Sequence, residues 1–193
     1  RIGSQFLSPG PGYGGSCFPK DTSALLYAAR QKGVEVPVIH ATIASNLQQF
    51  DHVMEIIEKL CLKSNKTFQQ STIGVWGLAF KAGTDDVRES PACEVVRRML
   101  EKGAKVKAYD PQANENAKQV LPELEILEDK YDVANKCNLL VVLTEWPEFI
   151  EADFSIVKDQ MDAQYIFDTR NVLDPEPLQG LGFELHGIGR HQI

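Results

Sequence analysis

The chain has 193 residues and a formal net charge of -7, with 43% hydrophobic and 24% charged residues. A chain of this length buries about 70% of its unfolded surface, which suits one or two globular domains. The acidic balance, without a basic stripe, excludes a general nucleic-acid binder, and no apolar run reaches the roughly 18 residues that cross a membrane. Its four cysteines form no C-x-x-C pair, which favours free thiols in a reducing compartment, the cytoplasm by default.

A glycine-rich segment near the start delivers Cys17 to the beginning of a helix. The segment reads Gly12-Tyr13-Gly14-Gly15-Ser16-Cys17-Phe18-Pro19-Lys20-Asp21. Pro19 fits a first helical turn, so we predict a helix over residues 19–32. The helix dipole and the Lys20 ammonium both favour the thiolate of Cys17. Asp21, four residues on, projects from the same face, so the segment predicts a nucleophile next to a possible base.

A second and longer helix is predicted to begin at Pro37. Apolar residues recur at three- and four-residue spacing, namely Ile39, Ile43, Leu47, Phe50, Met54, Ile57 and Cys61. The stripe runs for about 26 residues, or roughly 39 Å at 1.5 Å per residue. It is typical either of a core helix in a bundle or of a central helix that connects two domains and builds a dimer. The stripe alone does not distinguish these two roles.

The polar stretch at residues 62–71 is interpreted as a domain boundary, which divides the chain into residues 1–70 and 71–193. After it, predicted strands at 72–78, 105–109, 137–143, 164–168 and 183–186 alternate with predicted helices at 91–102 and 153–161. This alternation predicts an α/β fold, a Rossmann-like doubly wound parallel sheet preceded by the long helical region. Ligands of such sheets bind at the carboxyl ends of the strands.

Several polar groups follow predicted strands, and each has an ordinary structural interpretation. The loop at residues 80–90 fits a solvated loop, Asp168 and Arg170 fit a surface ion pair, and Glu145 fits an end-of-strand turn without catalytic duty. Gly74-Val75-Trp76-Gly77 departs from the dinucleotide fingerprint G-x-G-x-x-G, and the next predicted helix starts only at Pro91, so we do not expect this domain to bind NAD. The histidines lack metal-ligand spacing, and no metal site is predicted. Three cysteines, Cys61, Cys93 and Cys137, lie on apolar faces and are expected to be inert.

Five segments of the chain resemble, in the same order, segments of the UDP-glucose 6-dehydrogenase family. They are residues 12–21, residues 80–90 with Phe80-Lys81, Thr84, Asp86 and Arg88-Glu89-Ser90, then Tyr109-Asp110-Pro111, Leu143-Thr144-Glu145-Trp146 and Phe167-Asp168-Thr169-Arg170-Asn171. Five matches in one order across the whole chain argue against coincidence. The resemblance implies oxidation of the C6 alcohol of UDP-glucose to a carboxylate, in two hydride transfers to NAD.

The resemblance also implies roles for individual residues. Cys17 would form a thiohemiacetal and then a thioester with the sugar, and Asp21 would assist the hydrolysis. Residues expected to bind the nucleotide sugar are Arg1, Phe6, Tyr13, Gly14, Phe80, Lys81 and Arg170, with Arg1 entering the site of a neighbouring subunit. Lys20 and Arg88 would face NAD. Ser8 departs from the lysine that relatives carry there.

The chain begins with Arg1, shortly before its cysteine segment. By resemblance, a separate NAD-binding domain should precede it, and we expect the chain alone to show no turnover. A homodimer through the long helix is also expected. The alternatives are a dehydrogenase for GDP-mannose or another UDP-sugar, and a non-catalytic module that binds sugar nucleotides and dimerises.

Overall fold

The computed structural model describes residue 3 and residues 7–190, which begin with a pair of helices and continue into an α/β domain. The two helices are α1 (Phe18–Gln31) and α2 (Pro37–Lys63). The strands are β1 (Thr72–Trp76), β2 (Lys105–Tyr109), β3 (Glu125–Ile126), β4 (Leu139–Val142), β5 (Tyr165–Asp168) and β6 (Glu184–Gly187). A short 3-10 helix (Phe68–Gln70) follows α2, and the remaining α-helices are α3 (Pro91–Glu101), α4 (Asn114–Val120), α5 (Lys130–Ala134), α6 (Pro147–Ile150), α7 (Phe154–Gln160) and α8 (Pro175–Gly180).

All six strands form one parallel sheet in the order β3-β2-β1-β4-β5-β6. Val75 of β1 is in register with Ala108 on one side and Val141 on the other. The chain first builds outward from β1 to β3 and then returns to build outward from β4 to β6. The predicted doubly wound parallel sheet is therefore confirmed, and its topological switch point lies between the carboxyl ends of β1 and β4.

The predicted strands are confirmed in position: residues 105–109 match β2 at both ends, β6 is displaced by one residue, and the predictions for β1, β4 and β5 are too long. β1 ends at Trp76 because Gly77 adopts a φ of 97°, a conformation that favours glycine and turns the chain out of the sheet. The next N–H, that of Leu78, donates to the carboxylate of Asp110 at 2.8 Å instead of to a neighbouring strand. The two-residue strand β3 and the short helices α4, α5, α6 and α8 were not predicted, because segments this short carry little periodicity.

Only half of the apolar stripe of α2 is buried. Its buried residues are Phe50, Val53, Met54, Ile57, Leu60 and Cys61, all in the second half of the helix, which packs against α3. In the first half, Val38 is 75% exposed and Leu47 is 55% exposed. α2 therefore anchors the helical pair to the α/β domain through its second half, whereas large apolar side chains of its first half are exposed. The domain boundary near residue 70 stays a prediction.

Candidate active site

The carboxyl ends of three strands bring together side chains that are far apart in sequence. Phe80 and Lys81 follow β1, Glu145 follows β4, and Arg170 follows β5. Because these strands are adjacent and parallel, the residues that follow them meet at one edge of the sheet, next to the switch point. The structure thus places three of the predicted site residues, Phe80, Lys81 and Arg170, along the crevice where such folds bind ligands.

A buried carboxylate, that of Asp110, holds the turn after β1 in place. One of its oxygens accepts hydrogen bonds from the backbone N–H groups of Leu78 at 2.8 Å and Ala79 at 3.0 Å, and from Nε1 of Trp146 at 3.1 Å. The other accepts from the N–H groups of Gln112 at 3.0 Å and Ala113 at 2.8 Å. Asp110 therefore ties the ends of β1, β2 and β4 together. Asp110 belongs to the Tyr109-Asp110-Pro111 segment of the family resemblance, but the sequence alone predicts no role for its side chain.

The loop at residues 80–90 is an ordered structure rather than a merely solvated one. Its Phe80 N–H donates to the Asp86 carbonyl at 3.2 Å, and its Asp86 N–H donates to the Thr84 hydroxyl at 3.1 Å. The Asp86 carboxylate accepts two hydrogen bonds from the Arg88 guanidinium, at 3.0 and 2.7 Å. Arg88 holds the pKa of the Asp86 carboxyl below its usual value through these bonds. Thr84, Asp86 and Arg88 are thus connected by hydrogen bonds within the loop, and the Arg88 side chain is 72% exposed.

Arg170 pairs with Glu145 and not with Asp168. Its Nη2 lies 2.7 Å from Oε2 of Glu145. Asp168 is buried and accepts hydrogen bonds from the backbone N–H groups of Arg170 at 2.9 Å and Leu173 at 2.8 Å. Burial raises the pKa of the Asp168 carboxyl, and these hydrogen bonds partly oppose the shift. The alternative of a surface ion pair between Asp168 and Arg170 is therefore wrong, because Asp168 caps the turn after β5 and Arg170 reaches across to the neighbouring strand end.

The cysteine segment is held between α2 and the loop at residues 80–90. Asn46 of α2 accepts a hydrogen bond from the Tyr13 N–H at 2.8 Å and donates one to the Tyr13 carbonyl at 3.1 Å. On the other side, the Gly15 N–H donates to the Glu89 carbonyl at 3.2 Å. Gly14 lies so close that an added Cβ would stand 2.2 Å from the same Glu89 oxygen. Only glycine permits this approach, which presses the cysteine segment onto the α/β domain.

Glu89 adopts a φ of 48°, an uncommon conformation for a residue with a side chain. The left-handed turn directs its carbonyl at the cysteine segment. Gly10 is pressed in a similar way against Arg170, since an added Cβ at Gly10 would stand 2.5 Å from Nη1 of that arginine. The backbone of residues 10–15 therefore contacts both the loop after β1 and the arginine after β5.

Cys17 is the residue that immediately precedes α1, as predicted, and it is the exposed member of the four free cysteines. The thiols of Cys61, Cys93 and Cys137 are buried, and burial raises the pKa of Cys93 to about 11 and that of Cys137 to about 12. The Asp21 N–H donates to the Cys17 carbonyl at 2.8 Å, in the first turn of the helix. The structure therefore separates one accessible thiol at a helix N-terminus from three enclosed ones.

The charged groups around Cys17 differ in part from those expected. Lys20 pairs with Asp21, with Nζ 3.2 Å from Oδ1, and both side chains are exposed. The structure adds a cation that sequence reasoning did not place near the thiol, namely Arg88. The pKa of the Arg88 guanidinium is raised first by its hydrogen bond to Asp86 and in smaller part by the charge of a Cys17 thiolate. The sequence does not predict this contact between the cysteine segment and the loop at residues 80–90, because Cys17 and Arg88 are 71 positions apart in the chain.

Two predicted site residues, Arg1 and Phe6, lie outside the described residues. Within residues 3 and 7–190, no group of histidine, cysteine, aspartate or glutamate side chains could hold a metal ion. In the same part of the chain, none of the helices has the length and hydropathy needed to cross a bilayer.

Comparisons with known proteins agree with this arrangement. Residues 1–48 match the central domain of the UDP-glucose/GDP-mannose dehydrogenase family, and residues 74–175 match its UDP-binding domain. A UDP-glucose 6-dehydrogenase from Rhizobium meliloti (strain 1021) is 40% identical over 98% of the chain and 43% of that relative. One from Bacillus subtilis (strain 168) is 41% identical over 100% of the chain and 41% of the relative. The chain thus spans about two fifths of the length of these proteins.

Solved structures show the same likeness. A UDP-glucose dehydrogenase from Pyrobaculum islandicum superposes with a TM-score of 0.82 at 31% identity, over 99% of this chain and 41% of that one. A UDP-D-ManNAc dehydrogenase from Pyrococcus horikoshii superposes with a TM-score of 0.79 at 29% identity, over 94% of this chain and 40% of that one. Because two domains of the family match most of its length, the chain belongs to the UDP-glucose/GDP-mannose dehydrogenase family.

Proposed function

We propose that this chain is the part of an NAD-dependent UDP-glucose 6-dehydrogenase that binds the nucleotide sugar and supplies the catalytic thiol. The observation that carries the proposal is the docking of the cysteine segment onto the switch point of the sheet. Residues 10–15 contact the loop after β1 and the arginine after β5, and the exposed Cys17 follows directly. A thiol placed beside the ligand crevice of a parallel sheet suits covalent catalysis on the ligand held there.

The nucleotide sugar would bind along this edge of the sheet. Arg170 offers a planar set of N–H donors suited to phosphate or hydroxyl oxygens, and Lys81 adds a mobile ammonium. Phe80 packs against Gly15, and its ring also lies 5.4 Å from the Lys81 ammonium. The closely packed backbone at Tyr13 and Gly14 would approach the diphosphate and sugar. UDP-glucose is favoured as substrate because the relatives from Rhizobium meliloti and Bacillus subtilis, at 40% and 41% identity, are UDP-glucose 6-dehydrogenases by name.

The parallel sheet itself does not fit NAD. A dinucleotide site of this fold needs a helix directly after the first strand, whereas here α3 begins only at Pro91 and Ser90 caps it. Arg88 and Lys20, both more than two thirds exposed, fit contacts to the phosphates of an NAD held mainly by another domain. NAD, when bound, accepts the hydride in both oxidations. We therefore propose that the 193-residue chain alone has no turnover.

Cys17 would act in the second oxidation, in which the sugar aldehyde becomes a carboxylate. Its thiolate sulfur attacks C6 of the sugar aldehyde, the carbonyl π pair moves to oxygen, and the oxyanion takes a proton to give a thiohemiacetal. Loss of that proton and of a hydride from C6 leaves a thioester. Water then adds to the thioester carbonyl and the thiolate departs, so that a carboxylate forms and Cys17 is restored. Asp21, in the first turn after Cys17, would accept the proton from the water.

We further propose a homodimer formed through the central helical region of a cytoplasmic protein. Large apolar side chains are exposed on α1 and on the first half of α2, including Phe18, Leu25, Tyr27, Val38 and Leu47. Large apolar side chains that are this exposed are available for an interface between two copies of the chain. Light scattering should show a dimer for the wild-type chain and a monomer for Leu47→Glu. A wild-type monomer at micromolar concentration would contradict this assembly.

The experiment that tests the function uses the protein that carries this chain together with an NAD-binding domain of the family. With UDP-glucose and NAD, two NADH should form for each UDP-glucuronate. The 193-residue chain should bind UDP-glucose by calorimetry yet form no NADH. Turnover by this chain alone would refute its dependence on another domain. Preference for GDP-mannose in both assays would refute the proposed substrate, and absence of nucleotide-sugar binding would refute the proposed site.

A further inference from the structure

Glu145 connects two parts of the proposed nucleotide-sugar site that come from different strands. It follows β4, the strand between β1 and β5. Its Oε2 lies 2.7 Å from Nη2 of Arg170, which follows β5. Its Oε1 accepts a hydrogen bond from the backbone N–H of Ala82, next to Lys81 in the loop after β1, at 3.3 Å. One carboxylate thus holds both the arginine and the turn that bears the lysine.

The ion pair is shielded from solvent on the side of the arginine. The Arg170 side chain is 15% exposed, and its Nε and Oε2 of Glu145 are both buried without a hydrogen-bond partner among the described residues, so that the 2.7 Å contact between the two side chains is an ion pair. A long arginine side chain has many rotamers, and each contact that fixes its guanidinium reduces the entropy lost when a ligand binds. If the Glu145 carboxylate were removed, a largely buried cation would lose its ion-pair partner and would turn toward water.

Two opposite effects on an anionic ligand have to be compared. The negative charge of Glu145 weakens the attraction of Arg170 for phosphate, while its geometry fixes the guanidinium and the loop after β1 in one arrangement. The geometric effect should prevail, because Glu145 binds Arg170 at one oxygen and Ala82 at the other and so sets the spacing between two recognition elements. We propose that Glu145 is a positioning residue, which orients Arg170 and the turn at residues 80–82 for the nucleotide sugar. This inference rests on the proposed nucleotide-sugar site.

The test is calorimetry of UDP with the 193-residue chain. Glu145→Gln should weaken binding about tenfold, in the usual range of coupling between neighbouring residues. Glu145→Asp keeps the charge but shortens the side chain by one methylene, so that it cannot reach both partners, and it should weaken binding as well. Glu151→Gln, at the exposed end of α6, removes the same charge outside the site and should bind as wild type does.

Coupling to Arg170 separates positioning from a general loss of structure. In an Arg170→Ala background, adding Glu145→Gln should weaken UDP binding by clearly less than it does in the wild-type chain, because only the contact with the Ala82 N–H is then left to lose. Thermal unfolding of each variant verifies that the chain tested is folded. Glu145→Asp binding as wild type does, Glu145→Gln binding equally or more tightly, or an undiminished effect without Arg170 would each overturn the inference. Failure of the wild-type chain to bind UDP would instead refute the proposed site, and the inference with it.

Discussion

Asp110→Asn should destabilise the chain strongly, because the substitution replaces a carboxylate oxygen, which accepts hydrogen bonds, by an NH₂ group, which donates them. Three N–H donors converge on one oxygen of Asp110 and two on the other. Whichever way the new amide is turned, its NH₂ group faces at least two donors. Each buried donor left without a partner costs about 1–3 kcal/mol, so we expect a loss of about 2–6 kcal/mol in the free energy of unfolding.

The measurement is urea unfolding of the 193-residue chain, followed by far-UV circular dichroism. Asp174→Asn is the matched control, since the Asp174 carboxylate accepts one hydrogen bond, from the Glu176 N–H at 3.1 Å, at the N-terminus of α8. Asparagine caps helices as well as aspartate, so this control should change the free energy by less than about 0.5 kcal/mol. A loss below about 1 kcal/mol for Asp110→Asn would refute the reasoning that Asp110 holds the turn after β1.

The remaining predictions concern the cysteine segment and the buried thiols. Peptide mapping after brief iodoacetamide treatment of the folded chain should find label at Cys17 and almost none at the three buried cysteines, and equal labelling would contradict their enclosure. Gly14→Ala should undock the segment and lower UDP-glucose affinity at least tenfold, since the added Cβ would clash with the Glu89 carbonyl oxygen and the rigid ring of Pro91, whereas Gly180→Ala, with open space around it, should have no effect. Asn46→Ala should speed hydrogen exchange of the Tyr13 amide about tenfold or more, and unchanged protection would show that the segment is held without Asn46. Burial raises the pKa of Cys93 from 9.0 to about 11, so the folded chain keeps a proton that the unfolded chain loses between pH 9 and 11. Unfolding free energy should therefore fall with rising pH across that window and fall less steeply in Cys93→Ala, and parallel pH profiles would contradict this.

The local features of the fold could be predicted from the sequence because they depend on neighbouring residues. Pro19 placed the start of α1 and therefore the position of Cys17, since proline suits a first helical turn. The doubly wound sheet followed from strands and helices that alternate along the chain. Strand ends were less certain, because β1 stops where Gly77 takes a positive φ and Asp110 captures the next N–H.

The contacts that build the site could not be predicted, because they join distant parts of the chain. Asn46 binds the backbone of Tyr13, 33 residues away. The sequence predicts only a turn role for Glu145, whereas the adjacency of β4 and β5 brings its carboxylate to Arg170. Arg88 lies in electrostatic range of Cys17 because the cysteine segment docks on its loop. Residue types and local spacing do not indicate which strand ends lie next to each other. These contacts can therefore be identified only from the three-dimensional structure.

The central claim is that the Cys17 thiol captures C6 of the oxidised sugar. The measurement is UDP-glucuronate formation by the protein that carries this chain together with the family's NAD-binding domain, compared between wild type, Cys17→Ala and Cys137→Ala. The account predicts that Cys17→Ala abolishes UDP-glucuronate formation while Cys137→Ala, which alters a buried thiol, retains it. UDP-glucuronate formed by Cys17→Ala at the wild-type rate would contradict the account.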